Sequence, residues 1–348
     1  MPEPCRVVVR SPNWLGDAVM SLPCLRDVRR HFEGAFLAVA APESLCALYR
    51  AAPGIDAVVP LEGGQAAADV ARLEALHVDV GLVLPNSFGS AWTLRRARIP
   101  ERWGYRSDWR SWLLTRAVPR PRRRRRAQRL HQAQYYLELA RGLGMDVGPR
   151  DARLPVPAAA AGRARRLIES RGVEPDRIRI VGIAPGAAYG GAKQWPPDRV
   201  ADLVARLAGR DDVVCLLLGS AADRPAARTI VESLRFRHES RLPARVIDLV
   251  GQTDLDLLIG LLGASDVVVS NDSGAMHLAA VVGARTVAIF GPTDEHATSP
   301  LGRSHRLLVH DVGCRPCLLR ECPIDHRCMT GVTVQMVEDA VGEALDEG

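Results

Sequence analysis

The sequence predicts an α/β protein of two domains, each built on a parallel, doubly wound sheet. Three observations carry this expectation. The 348-residue chain is too long for one ordinary core and about right for two. Short apolar runs bounded by Pro, Gly or Asn alternate with helix-like stretches, the rhythm of βαβ units. That rhythm restarts near residue 180.

In the first half, residues 7–10, 36–40 and 80–84 read as buried strands and residues 19–31 as a helix. The second half repeats the pattern at residues 180–184, 213–218, 267–270 and 286–290. Between them, residues 154–161 are rich in Pro and Ala, a composition suited to a joining segment. The expected division is a first domain over residues 1–155, a linker over 156–175 and a second domain over 176–348, whose last helix is expected to pack back on the first domain. No apolar run approaches the roughly 18 residues of a spanning helix. The N-terminus reaches an arginine-bearing strand too soon for a secretory signal, so a cytoplasmic location is expected.

The net charge of +6 is local in origin. Arg120, Arg122, Arg123, Arg124, Arg125, Arg126 and Arg129 supply seven positive charges, more than the whole excess. This run points to a localised anionic partner, a lipid headgroup or a phosphorylated acceptor, with a solvated loop as the plain alternative. Nucleic acid is not expected, because the run lacks interleaved aromatics or a recognisable binding motif.

The sharpest local signal is Val267-Val268-Val269-Ser270-Asn271-Asp272-Ser273-Gly274, a buried-strand pattern that hands over to a helical stretch at residues 275–282. Asp272 or Ser273 can cap that helix, and its free N–H groups with the positive end of the dipole form an anion site. Capping alone does not account for Gly274, which lets a ligand approach closely, or for His277 one turn on. The second signal is Pro185-Gly186 through Lys193-Gln194-Trp195-Pro196, a glycine-rich loop after a strand. It lacks the spacing of a Walker loop. Lys193 is the only lysine in the chain, against 45 arginines, which suggests a need for a compact ammonium that guanidinium does not meet.

In the first half, Arg10-Ser11-Pro12-Asn13-Trp14-Leu15-Gly16-Asp17 joins a strand to a helix and ends on a carboxylate. Asp17 is either an N-cap or the base that takes a proton from an acceptor hydroxyl, and this motif alone does not choose between them. Cys314, Cys317, Cys322 and Cys328, with His310 and His326 nearby, cluster in one segment. Their spacing admits a structural tetrahedral zinc but departs from the repeated C-x-x-C arrangement, and reduced thiols or transient disulfides are the alternatives. Cys5, Cys24, Cys46 and Cys215 read as small core residues.

Taken together, Asn13-Trp14-Leu15-Gly16-Asp17-Ala18-Val19-Met20-Ser21-Leu22-Pro23, Pro185-Gly186 through Lys193-Gln194-Trp195-Pro196, and Ser270-Asn271-Asp272-Ser273-Gly274-Ala275-Met276-His277 resemble the ADP-heptose:lipopolysaccharide heptosyltransferases of glycosyltransferase family 9. Pro85-Asn86-Ser87-Phe88, Leu218-Gly219-Ser220 and Phe290-Gly291-Pro292-Thr293 add to the resemblance, which spans nearly the whole chain and is nearest the branch that adds the second heptose. It implies a GT-B architecture, two Rossmann-like domains facing a central cleft, with acceptor bound by the first and ADP-heptose by the second. The implied reaction is an inverting single displacement onto heptosyl-Kdo2-lipid A at the cytoplasmic face of the inner membrane, where the enzyme associates peripherally. Asp17 matches the family's base, and Lys193 the donor-phosphate contact. Asp272, Ser273, Gly274 and His277 match its nucleotide-site motif, and Thr253 a loop beside the adenosine. Asn13, Asn86, Ser87, Arg122 and Arg124 are the acceptor-side candidates. The acidic residue that some members use on the ribose is not assigned, because Ala221 and Ala222 precede Asp223. No cofactor is expected to be obligatory. Other readings are a different GT-B transferase, including the one that adds the first heptose, or a nucleotide- and lipid-binding module without catalysis.

Overall fold

The computed structural model describes residues 5–63, 66–107, 109–121, 129–237, 242–302 and 304–347. The chain divides into two units, Met1–Pro155 and Val156–Gly348. Unit 1 carries β1 (Arg6–Arg10), β2 (Phe36–Pro42), β3 (Ala57–Leu61), β4 (Val80–Val83), β5 (Glu101–Tyr105) and β6 (Arg116–Val118), in the order β3-β2-β1-β4-β5-β6. Unit 2 carries β7 (Arg179–Ala184), β8 (Val213–Leu217), β9 (Val246–Asp248), β10 (Val267–Asn271), β11 (Arg285–Phe290) and β12 (His305–Val309), in the order β12-β11-β10-β7-β8-β9. All the pairings are parallel. Each sheet therefore repeats the doubly wound order in which chain direction reverses beside the first strand.

Continuous apolar runs mark the central strands, because helices cover a parallel sheet on both faces. Val7, Val8 and Val9 of β1 and Val267 and Val268 of β10 are wholly buried. Strands with one covered face, or at an edge, read less clearly. Every residue of β12 is only partly buried, and β6 and β9 have three residues each. In unit 2, helices Pro197–Ala208 and Val334–Asp346 pack Val200, Leu203, Val204, Val337 and Val341 against the sheet. The last helix rests on β10, β11 and β12 of its own unit, and the Arg179 guanidinium donates to the Leu345 carbonyl (2.8 Å).

Most of the span expected to be linker is a helix, Ala158–Glu169. Its four leading alanines favour helix, and Pro157 sits at the N-cap position, where its missing N–H costs nothing. Ala160, Ala164 and Ile168 form its buried stripe against helix Leu255–Gly263, so the segment belongs to the packing of unit 2. A β-carbon added at Gly260 would stand 2.3 Å from the Ala160 carbonyl oxygen, whereas one at Gly342 would meet open space. Gly260→Ala is therefore expected to lose about 1–3 kcal/mol to overpacking despite better helix propensity. Gly342→Ala is expected to gain about 0.5–1 kcal/mol. Urea unfolding of both variants checks the opposite signs, and a stabilised Gly260→Ala would contradict the close helix contact.

Candidate functional site

Parallel pairing of β10 with β7 sets Ser270 beside Ala184, so the loops leaving these strands start side by side where the order of the sheet reverses. Asn271 ties them together: its Oδ1 accepts from the Trp195 N–H (3.0 Å) and its Nδ2 donates to the Pro185 carbonyl (2.7 Å). Trp195 is itself buried and donates its indole N–H to the Val332 carbonyl (2.9 Å). The glycine-rich loop is thus anchored at both ends. Its middle turns at Gly190, φ +150°, where a β-carbon would lie 2.5 Å from the Arg320 carbonyl oxygen. Only glycine fits there.

This loop delivers Lys193 to the start of helix Gly274–Val282. The Lys193 ammonium lies 2.7 Å from Asp272 Oδ2 and 4.8 Å from the centre of the Tyr189 ring. The Thr293 hydroxyl donates to the same Asp272 oxygen (2.7 Å). Asp272 is 5% exposed and the Lys193 side chain 13%, so this is a largely desolvated pair. An ammonium has three N–H donors, and the Asp272 carboxylate and carbonyl engage two. The third can meet an incoming anion.

Asp272 is therefore an ion-pair partner rather than a helix cap. Ser273 occupies the N-cap position in extended conformation and makes no side-chain cap hydrogen bond, its hydroxyl lying 3.0 Å from that of Ser270. Gly274 opens the helix, and His277, one turn on, is buried. Loops from the neighbouring strands reach the same sheet end. The Asp223 carboxylate accepts from the Ser220 N–H and hydroxyl (both 2.8 Å) and occupies the space that a side chain on Gly186 would need. Gly251 abuts Ala221, and Thr253 follows in the turn before helix Leu255–Gly263. Thr293 and Asn271 carry no assignment from sequence patterns. Both fall in motifs that carry the resemblance, Thr293 just after β11 and Asn271 beside Asp272, but neither motif names their partners.

In unit 1 the corresponding reversal lies between β1 and β4. After β1, the Arg10 guanidinium donates to Asn13 Oδ1 (2.7 Å), and burial lowers the Arg10 pKa. Asp17 lies in the first turn of helix Leu15–Met20, with Trp14 at the N-cap position, so Asp17 is not the cap. Its half-buried carboxylate sits near two buried phenols. Burial pushes Tyr49 up to about 12 and Tyr136 well above the usual value, and the Asp17 charge adds to both shifts. After β4, the Asn86 side chain exchanges hydrogen bonds with the Tyr135 hydroxyl (2.9 and 3.2 Å), and Ser87 caps helix Phe88–Arg96. Buried Arg110 holds this loop through the carbonyls of Pro85 (2.6 Å) and Ser87 (3.0 Å). Asn86 and Ser87 are thus engaged in shaping the loop. Arg122 and Arg124 lie outside the described residues.

All eight cysteines are free thiols; Cys24, Cys46, Cys215 and Cys328 are buried, Cys5, Cys317 and Cys322 half-buried and Cys314 exposed. Among the described residues no group of three or more His, Cys, Asp or Glu side chains is placed to hold a metal ion.

Residues 70–327 match the sequence profile of glycosyltransferase family 9 (heptosyltransferase). The chain belongs to this family. The glycosyltransferase is 30% identical over 316 residues to lipopolysaccharide heptosyltransferase 2 of Salmonella typhimurium, a match covering 87% of each chain. It is similar to the solved structure of E. coli ADP-heptose LPS heptosyltransferase II, with a TM-score of 0.81 and 27% identity over 98% of this chain and 99% of that one. Glycosyl transferase family 9 from Veillonella parvula shares the fold, with a TM-score of 0.83 at 18% identity over 100% and 99% of the two chains. The two doubly wound sheets are those of the GT-B heptosyltransferases.

Removing one partner of a desolvated pair strands the other charge. Asp272→Leu alone is expected to cost about 3 kcal/mol of stability, and Lys193→Met with Asp272→Leu less than the sum of the single losses. Denaturant unfolding of the four members of this cycle measures the coupling, and strict additivity would dissolve the pair.

Proposed function

We propose that this glycosyltransferase moves a heptose from ADP-heptose to a lipid A-linked inner core that already bears one heptose, as heptosyltransferase II does. The carrying observation is the Lys193–Asp272–Thr293 cluster at the N-terminus of helix Gly274–Val282, where a lysine N–H and the free backbone N–H groups of the helix start together offer donors of the kind a diphosphate needs. Relatives named heptosyltransferase 2 support the choice of sugar and acceptor.

In this reading the donor phosphates take the third N–H of Lys193 and the backbone N–H groups at Ser273 and Gly274. Thr293 keeps Asp272 in place while the lysine engages a second anion. Asp223 meets a ribose hydroxyl from beside Gly186, and the Thr253 turn borders the adenosine. The acceptor hydroxyl attacks the anomeric carbon and gives its proton to the Asp17 carboxylate. The bond from that carbon to the phosphate oxygen breaks, and ADP leaves with the electron pair. Lys193 and the helix N-terminus stabilise the charge that develops on ADP, which is electrostatic catalysis without a metal step. Among the described residues no helix is long and apolar enough to cross a membrane. Peripheral association with the cytoplasmic face, aided by the Arg122–Arg126 run, belongs to the same proposal.

The deciding assay is incubation with ADP-heptose and lipid A cores bearing no heptose or one, read by mass. Addition of one heptose to the second core alone is expected, and addition to the first alone would reassign the enzyme to the preceding step. Lys193→Arg is expected to lower kcat/KM at least tenfold, about 1.4 kcal/mol of transition-state stabilisation, because a planar fork does not fill the place of a compact ammonium. Wild-type kinetics in this variant would make the single lysine incidental. Asp17→Asn removes a proton acceptor from the first turn but no cap. It is expected to fold, to bind ADP normally and to turn over ~10²- to 10⁴-fold more slowly. Near-normal turnover would take Asp17 out of the mechanism.

A further inference from the structure

Helix Phe88–Arg96 turns Ser90, Ala91 and Leu94 into the core of unit 1, yet it also carries aromatic rings on its outer face. Phe88 and Trp92, one turn apart, stack at 6.1 Å, and Trp112 leans on both at 6.3 and 6.4 Å. The three are 42%, 41% and 66% exposed, so a continuous aromatic patch faces water. Exposed single rings are ordinary, but a joined patch marks a surface that meets something.

The patch borders an open cavity of about 810 Å³, lined by Trp92, Trp112 and the guanidinium-bearing Arg95, Arg96, Arg98 and Arg102. Arg102 is buried and spends its donors on the carbonyls of Ile99, Pro100 and Leu113. Arg98 is exposed, with Glu74 at 3.9 Å. Arg95 and Arg96 are exposed and pair with no carboxylate among the described residues. Two unneutralised cations at the foot of an aromatic patch are complementary to a surface that offers phosphates above an apolar layer.

We propose that Phe88, Trp92, Trp112, Arg95, Arg96 and Arg98 form a face that docks unit 1 on an anionic phospholipid bilayer. Tryptophan rings settle at headgroup depth, with an apolar body below and a polar N–H above, while arginines draw the face to anionic headgroups. Single-stranded nucleic acid also pairs aromatics with arginine, but its stacking rings are strung along a groove that tracks the backbone, whereas these three rings lie together in one patch. The proposal rests on the reading of a lipid-linked acceptor only for the nature of the surface.

The test uses the full chain without donor or acceptor. Sedimentation with phosphatidylglycerol-containing vesicles is compared with pure phosphatidylcholine vesicles, and tryptophan quenching by lipids brominated in the acyl chain is read in parallel. Wild type is expected to partition at least tenfold more strongly to the anionic vesicles and to be quenched. Arg95→Gln with Arg96→Gln is expected to weaken partition about thirtyfold, the loss of two surface cations. Trp92→Ser with Trp112→Ser is expected to abolish the quenching. Both sites are exposed, and should the tryptophan variant fail to fold, the arginine variant decides alone. Equal partition to both vesicle types, unchanged binding in the arginine variant, or displacement of vesicles by a single-stranded oligonucleotide would each overturn the proposal. Transfer to a detergent-dispersed acceptor is measured separately. Vesicle binding without transfer would sink the functional reading and leave this face standing, and the converse would do the reverse.

Discussion

The parallel pairing of β7 with β10 places two loops distant in sequence next to each other at the carboxyl ends of their strands. Everything at the unit 2 site follows from that adjacency. Asn271 spans the gap with one hydrogen bond to each side of the glycine-rich loop, and the loop then has a fixed path to Lys193. The register leaves Asp272 just past the last residue of β10, its N–H still donating to the Ile289 carbonyl of β11 (3.2 Å), and its side chain meets the lysine. A shift of one residue would turn Asp272 to the other face of the strand and leave Lys193 without a counter-charge.

Holding an ammonium in so dry a place has a cost, which the Asp272 carboxylate offsets. The pair is formally neutral, so an anion is drawn by directed donors rather than by net charge: the lysine N–H left over and the N–H groups at the start of helix Gly274–Val282, while Thr293 holds the carboxylate oxygen that faces the lysine. Guanidinium would not fit this geometry easily. Its planar fork needs matched acceptors in one plane, whereas here an acceptor lies on one side and an aromatic ring on another. This gives a physical reason for one lysine in a chain that otherwise uses arginine.

Much of this was legible in the sequence, and the reasons for the remainder are specific. Central strands β1 and β10 announce themselves as unbroken valine runs, and β7 as an isoleucine- and valine-rich run interrupted only by Gly182. β3 contains Pro60, β5 opens with Glu101 and Arg102, and β12 is half-exposed throughout, so none shows that pattern. The segment at residues 158–169 misleads in the other direction. Its Pro-flanked alanines resemble a joining segment, but alanine is also the best helix former, and Gly260 gives the helix a place to seat. At the site, Lys193 and Asp272 stand out as residue types in motifs. Their pairing with Thr293 does not, because a contact between residues after β7, β10 and β11 is created by sheet order. Arg110 was invisible for the same reason: a buried guanidinium shaping the 85–87 loop looks like any other arginine in a run of letters.

Position also limits what Asp17 can be. With Trp14 at the cap, the carboxylate lies in the first turn of a short helix, where its interaction with the backbone dipole is worth only about 0.3–1 kcal/mol. A buried wall formed by Tyr49 and Tyr136 stands close enough to feel its charge. Phenols driven to higher pKa stay protonated and add no second anionic oxygen beside it. With Trp14 in the cap position, the cap reading of Asp17 falls, and the proposed mechanism uses the other reading, in which it accepts a proton. Asn86 and Ser87 illustrate the opposite case, since their polar atoms already serve Tyr135 and the start of the next helix, and any hold they take on an acceptor must be shared with that work.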